Sequence, residues 1–137
     1  MNTPIPEDEV TKQAIYDLFQ SAYMKVSWDD DGDVRVHSES GPRVCIIVDE
    51  ERKHLRFLCF YRFDSEATEF QKLQFVNTLN DTMLMLRFAL DGDTMLIDYY
   101  LSFEESLLPY QVVNAARRLS KIAVSAIAEH DVENIVL

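Results

Sequence analysis

Apolar residues recur at helical spacing over residues 7–23, where Val10, Ala14, Ile15, Leu18, Phe19 and Ala22 share one stripe behind Pro6 and an acidic first turn, Glu7-Asp8-Glu9. That stretch predicts a first helix. From Met24 the pattern changes to short β-branched and aromatic runs, residues 25–28 and 34–36, punctuated by Asp29-Asp30-Asp31-Gly32 and Ser40-Gly41-Pro42. Residues 44–48 and 55–63 are the strongest strand runs, and the charged loop 49–53 between them predicts an antiparallel hairpin. A loop centred on Arg52 would set Cys45 across from Cys59. Asp64 and Ser65 then offer caps for a second helix, with Phe70, Leu73, Val76 and Leu79 as its apolar face and an end near Asn80.

A second hairpin follows, in which residues 84–90 and 95–103 flank Asp91-Gly92, a pair suited to a type I′ turn. That turn would pair Phe88 with Met95, Leu86 with Ile97 and Leu84 with Tyr99, on a helix-covered sheet face shared with Leu101 and Phe103. Pro109 opens a third helix whose stripe is Val112, Ala115, Ala116, Leu119, Ile122, Ala123 and Ala126, with a frayed tail expected from Glu129. The order α-β-β-β(-β)-α-β-β-α predicts an α+β fold with an antiparallel sheet of five or six strands and three helices, in a single domain over residues 1–137.

The other sheet face is expected to hold Met83, Met85, Arg87, Leu96, Asp98 and Tyr100, while the early hairpin has apolar residues at both parities, Val44, Ile46 and Val48 against Cys45 and Ile47. A solvated face would alternate more cleanly. The excess apolar surface predicts a covering helix or a second polypeptide, and a homodimer is the expected assembly.

Charge narrows the function. With 24 acidic against 13 basic side chains the net charge is −11, which repels phosphate backbones, and the adjacent basic pairs are only Arg52-Lys53 and Arg117-Arg118. Nucleic-acid binding is not expected. The acidity serves solubility or attracts a basic partner. No uninterrupted apolar run reaches the roughly 18 residues of a membrane span. The N-terminus has neither a basic region nor an apolar run, and the two cysteines sit among apolar neighbours, so a reduced, cytoplasmic protein is expected.

Catalytic chemistry is scarce. Gly32, Gly41 and Gly92 are too scattered for a phosphate-cradling loop or a dinucleotide fingerprint. The acidic loop around Gly32 suggests calcium, but with Gly32 sixth in an EF-hand frame the first and twelfth positions are Ser27 and Ser38, so an acidic turn is the expectation. His37, His54 and His130 lack metal-site spacing, and no nucleophile, base and orienter stand together. No cofactor, metal or enzymatic activity is predicted. Asn77 and Asn80, one turn apart at the end of helix two, read either as amides satisfying the helix-to-strand junction or as recognition amides beside the sheet.

The stretch Phe75-Val76-Asn77-Thr78-Leu79-Asn80, followed by Met85-Leu86-Arg87-Phe88-Ala89-Leu90-Asp91-Gly92 and a second apolar strand, resembles the YbjN family of bacterial sensory transduction regulators. Asn77 and Asn80 match its paired asparagines and Asp91-Gly92 its hairpin turn. Where that family often has a Gly-rich turn, this chain reads Phe103-Glu104-Glu105-Ser106-Leu107-Leu108-Pro109. The resemblance implies a fold like that of type III secretion chaperones and a non-enzymatic, protein-binding role, as a chaperone or regulatory adaptor holding a partner segment by strand addition or apolar anchoring. Its partner-binding surface would lie on the face without helices, around Val44, Ile46, Met83, Met85 and Tyr100, with Asn77 and Asn80 nearby. The alternative is a small-molecule or metal-responsive regulator with a pocket between helix and sheet.

Overall fold

The structure, a computed structural model, describes residues 3–137. Its elements are β1 (Ile5–Pro6), a 3₁₀ turn (Glu7–Glu9), α1 (Lys12–Ser21), β2 (Val26–Trp28), β3 (Val34–Val36), β4 (Val44–Asp49), β5 (His54–Arg62), α2 (Glu69–Thr82), β6 (Arg87–Asp91), β7 (Thr94–Ser102), β8 (Ser106–Leu107) and α3 (Pro109–His130). The fold is α+β, as the pattern predicts. Six antiparallel strands form one sheet in the order β2-β3-β4-β5-β7-β6, and β1 and β8 pair separately. A core of Val34, Val36, Val44, Ile46, Leu55, Phe57, Cys59, Phe88, Met95 and Ile97 covers one sheet face, packed with Ile15, Phe19, Leu79, Val112, Leu119 and Ala123 from the helices. Arg35, Cys45, Ile47, Arg56, Leu58, Phe60, Arg87, Leu96, Asp98 and Tyr100 alternate with these residues onto the opposite face.

Several local expectations are corrected. The first helix starts at Lys12, because Pro6 pairs with Ser106 and Thr11 is the cap, its Oγ1 accepting the Ala14 N–H at 3.1 Å. Helix two is capped by Thr68, whose hydroxyl accepts from Gln71 N–H while the Gln71 side chain accepts from Thr68 N–H. Its buried face is Lys72, Phe75, Val76 and Leu79, leaving Phe70 and Leu73 exposed. The rotation follows from Lys72: its stem lies in the core while Nζ donates to Asp93 at 2.8 Å and the Gly92 carbonyl at 3.4 Å, fastening the helix to the hairpin turn.

Register changes too. Asp49 pairs with His54, so Cys45 faces Leu58 and Cys59 faces Ile97, and the two free thiols lie on opposite sheet faces rather than across from each other. In the late hairpin Asp91 pairs with Thr94, moving Phe88 to Ile97 and Leu90 to Met95. Phe88 keeps its expected face while the partners shift by two, but β6 starts at Arg87, so Met83, Leu84, Met85 and Leu86 fall outside the strand and Leu84 is exposed. Gly92 has φ +61° and Asp93 does not have positive φ, the pattern of a type II′ turn with glycine first. The tail is docked: Asp131 accepts from the Ile135 and Val136 N–H groups, Ile135 is buried, and Val136 bridges Phe63.

Candidate functional site

Sheet geometry creates an opening where β6 ends. Backbone groups alternate along β7, and Phe63 N–H donating to the Asp93 carbonyl and Phe103 N–H to the Lys53 carbonyl show that odd-numbered residues face β5. Even-numbered residues therefore face β6, which covers Thr94, Leu96 and Asp98 and stops at Arg87. Tyr100 and Ser102 have N–H and C=O groups directed past the end of β6, and neither finds a backbone or side-chain partner there among the described residues.

The preceding chain explains why the strand stops. Asn80 accepts the Phe88 N–H on Oδ1 and donates Nδ2 to the Phe88 carbonyl, both at 2.8 Å, so one amide replaces a neighbouring strand. This clasp holds the end of α2 against β6. Residues 81–87 must make the connection within it, and Met85 turns at φ +69°, a left-handed conformation costing a non-glycine residue roughly 1–2 kcal/mol. Leu84 is 83% exposed and Met85 72%. They and Leu86 form one wall of a groove of about 210 Å³, with Tyr99 and Leu101 as its floor and Ala115, Leu119 and Ile122 of α3 opposite. Gln111, Asn114 and Arg118 supply its polar lining, and no acid lines it.

At the end of β6 the outer face carries a charged clamp. Asp98, 2% exposed, accepts from Arg56 Nε and Nη2 at 2.9 and 2.8 Å and from Arg87 Nε and Nη2 at 3.0 and 2.6 Å. Two guanidinium groups on one carboxylate offset its burial. Hydrogen bonds to Asp98, then its charge, raise the pKa of Arg87 further above its ordinary value. The Tyr100 ring lies beneath both arginines, 5.8 and 5.6 Å from their guanidinium carbons, with His54 edge-on at 5.0 Å.

The expected binding residues separate accordingly. Val44 and Ile46, 2% and 0% exposed, sit on the helix-covered face, correcting their placement on the open one, because Val44 pairs with Val36 and Ile46 lies between Val34 and Phe57. Met83 is the C-cap of α2, half-buried. Met85 lines the groove, and Tyr100 is on the open face with its backbone at the exposed step. Asn80 is a junction amide; Asn77 is exposed one turn earlier. Sequence reading missed the roles of Leu84 and Ile122, although Ala115 and Ile122 made the α3 stripe broader than the core needs.

The other flank of α3 differs in chemistry. A cleft of about 810 Å³ lies between α3, the end of α1 and the β3–β4 loop. Lys25, His37, Arg117 and Lys121 line it with Ser38, Ser40 and Ser120, against one acid, Glu39. Lys25, Arg117 and Lys121 form no ion pair with a described residue. The loop is seated on α3 through Ser120 Oγ donating to the Pro42 carbonyl, and a methyl at Gly41 would collide with that hydroxyl. Burial first, then Lys25, Arg43 and Arg35, hold the His37 imidazole below its ordinary value of 6.5. Tyr23 stands at the rim, 98% exposed, at φ +61°. It occupies the C′ position of a Schellman motif, with Tyr23 N–H donating to the Gln20 carbonyl and Met24 N–H to the Phe19 carbonyl, where glycine is favoured.

Asp29, Asp31 and Asp33 bring carboxylate oxygens within 4.8 Å of one another. Asp29 accepts the Asp31 and Asp33 N–H groups, and Lys12 pairs with Asp33 at 3.4 Å, as in a self-closed acidic turn. Burial first pushes the Cys59 thiol up to about 12 and raises Cys45 as well, which keeps both protonated near neutrality.

Residues 11–127 match the YbjN family, described as "Putative bacterial sensory transduction regulator". The chain is similar to the crystal structure of YbjN from E. coli, with a TM-score of 0.75 and 11% identity over 93% of this chain and 96% of that one. It is also similar to a chain of the HopA1-SchA chaperone-effector complex, with a TM-score of 0.55 and 14% identity over 79% and 85% of the two chains. No curated protein sequence matches it.

Proposed function

The chain belongs to the YbjN family, and from that premise we propose that it is a non-enzymatic, cytoplasmic protein-binding module of one domain, holding an extended segment of a partner polypeptide at the step in β7. The observation that carries this reading is the pair of unpaired backbone sites, Tyr100 and Ser102, beside an apolar groove. An extended main chain satisfies such sites by continuing the ladder, while its alternate side chains fill the groove and cross the outer face. Inward residues would be apolar against Leu84, Met85, Leu101 and Ile122, with any charged one acidic opposite Arg118; outward ones would pass Arg87 and Tyr100. The likeness to a chain of a chaperone-effector complex supports the reading. A net charge of −11 favours a partner that is basic outside the seated segment.

Selection of peptides from a display library against the chain, followed by Ser102→Pro, tests the site. The serine N–H points away from β5, so proline removes an edge donor and leaves the β5 ladder intact. Apolar peptides whose affinity falls at least tenfold in Ser102→Pro would support the proposal. Peptides that bind both chains equally would place the site elsewhere. Light scattering during the same titration would separate this from the expected homodimer: a chain twice its 15.9 kDa mass that dissociates on peptide addition has its second copy in the groove.

A further inference from the structure

The cleft on the opposite flank of α3 has a different chemistry, and its charge is the reverse of the molecule's. A chain with 24 acidic against 13 basic side chains would ordinarily surround each cation with carboxylates, yet Lys25, Arg117 and Lys121 line one opening whose lining has Glu39 as its single acid. His37 lines the same opening with its Nε2 3.0 Å from Ser27 Oγ, and burial, then the cations Lys25, Arg43 and Arg35, lower its proton affinity. The Ser38 and Ser40 hydroxyls add neutral donors, while that of Ser120 is engaged with the Pro42 carbonyl. At about 810 Å³ the cleft exceeds what one inorganic anion needs and falls within the usual range for small-molecule sites.

Tyr23 indicates what the rest of the ligand is. Its ring is neither buried nor paired with another aromatic side chain, and its backbone is in a conformation that glycine adopts more easily. An exposed ring held against backbone preference at the rim of a cationic cleft offers a π-face for a planar group carried beside phosphates. We propose that the cleft bounded by Tyr23, Lys25, His37, Arg117 and Lys121 binds a nucleoside diphosphate, its base stacked on Tyr23 and its phosphates on Lys25, Arg117 and Lys121. Arg117 supplies paired donors for phosphate oxygens, the two lysines supply compact positive charge, and Ser38 and Ser40 lie within the same opening. This inference is independent of the strand-addition site, which lies across α3.

Calorimetric titration of the full chain with ADP, inorganic pyrophosphate, adenosine and poly-glutamate tests it. Saturable ADP binding is expected, at least tenfold tighter than that of either half-ligand or poly-glutamate. Arg117→Glu combined with Lys121→Glu should lower affinity for ADP and pyrophosphate by tenfold or more. Tyr23→Gly should lower ADP affinity about tenfold, the scale of one base–aromatic stack, and leave pyrophosphate unchanged. Because glycine suits that backbone, Tyr23→Gly should melt no lower than wild type, which separates lost binding from lost structure. No saturable heat with ADP would overturn the proposal. So would equal binding to the charge-reversed chain, or poly-glutamate matching ADP. Pyrophosphate equalling ADP, with no effect of Tyr23→Gly, would overturn the base assignment and reduce the cleft to a general anion site.

Discussion

The two halves of β7 differ only in what lies beside them. From Thr94 to Asp98 the strand has β6 as a neighbour, and the Asn80 amide occupies the outer side of β6 at Phe88. At Tyr100 and Ser102 the same strand, in the same sheet, has no neighbour on that side among the described residues. The divide falls at Asp98, whose two arginines tie the last residue of the closed half to β5 and β6. The sheet thus has an internal step at Tyr100 and Ser102 in addition to its outer edges at β2 and β6, the latter shortened by the Asn80 clasp on Phe88.

The largest effect should come from the divide itself. Asp98→Ala removes the shared acceptor of Arg56 and Arg87, and denaturant unfolding should show a loss of about 3 kcal/mol, the low end for a broken buried pair because Arg87 can reach water. Asn80→Ala should come next. Leaving the Phe88 N–H and C=O without partners should destabilise the chain by about 2 kcal/mol and open the outer edge of β6, so sedimentation should show more association than wild type at the same concentration. Wild-type behaviour of Asn80→Ala in both assays would remove the basis for the closed half.

Met85→Gly sharpens the comparison from the open side. Relieving the positive φ should change stability by no more than about 1 kcal/mol in either direction, since the exposed side chain contributes little packing. Peptide affinity should fall, because the groove loses part of a wall.

The smallest effect is one of pH. Hydrogen bonding and then the charge of Lys72 hold the Asp93 carboxyl below its ordinary value of 3.8. A depressed folded-state value means the contribution is complete above 3.8 and fades as pH falls through the lowered value. Lys72→Met should flatten that part of the acid-unfolding curve and leave the curve near neutrality almost parallel to wild type.

What could be read from the sequence follows from which signals are local. Period and turn residues located the six strands of the main sheet, three helices and the antiparallel order, because each of these elements encodes its own burial pattern, whereas the two-residue strands β1 and β8 are too short to carry one. Helix two misled because Lys72 is buried through a partner 21 residues away, and a lysine in a helical pattern is ordinarily solvated. Val44 and Ile46 were misplaced for a related reason: Ile47 and Leu58 make the outer face apolar as well, so composition did not identify the covered side. The asparagines could be recognised as a motif, but the clasp on Phe88 depends on the exact length of the helix-to-strand connection. The opening at Tyr100 and Ser102 was invisible, since it arises from β6 being shorter than β7 and the pattern from 84 onward reads as a continuous strand. The YbjN resemblance agreed with the family match and carried no signal for the open step in β7.

Amide hydrogen exchange measured by NMR on the free chain tests the open edge most directly. The account predicts that Leu96 and Asp98, whose N–H groups face β6, exchange slowly, while Tyr100 and Ser102 exchange at least a hundredfold faster although all four belong to one strand. Equal protection at the four sites would contradict it, because the second half of β7 would then already have a partner.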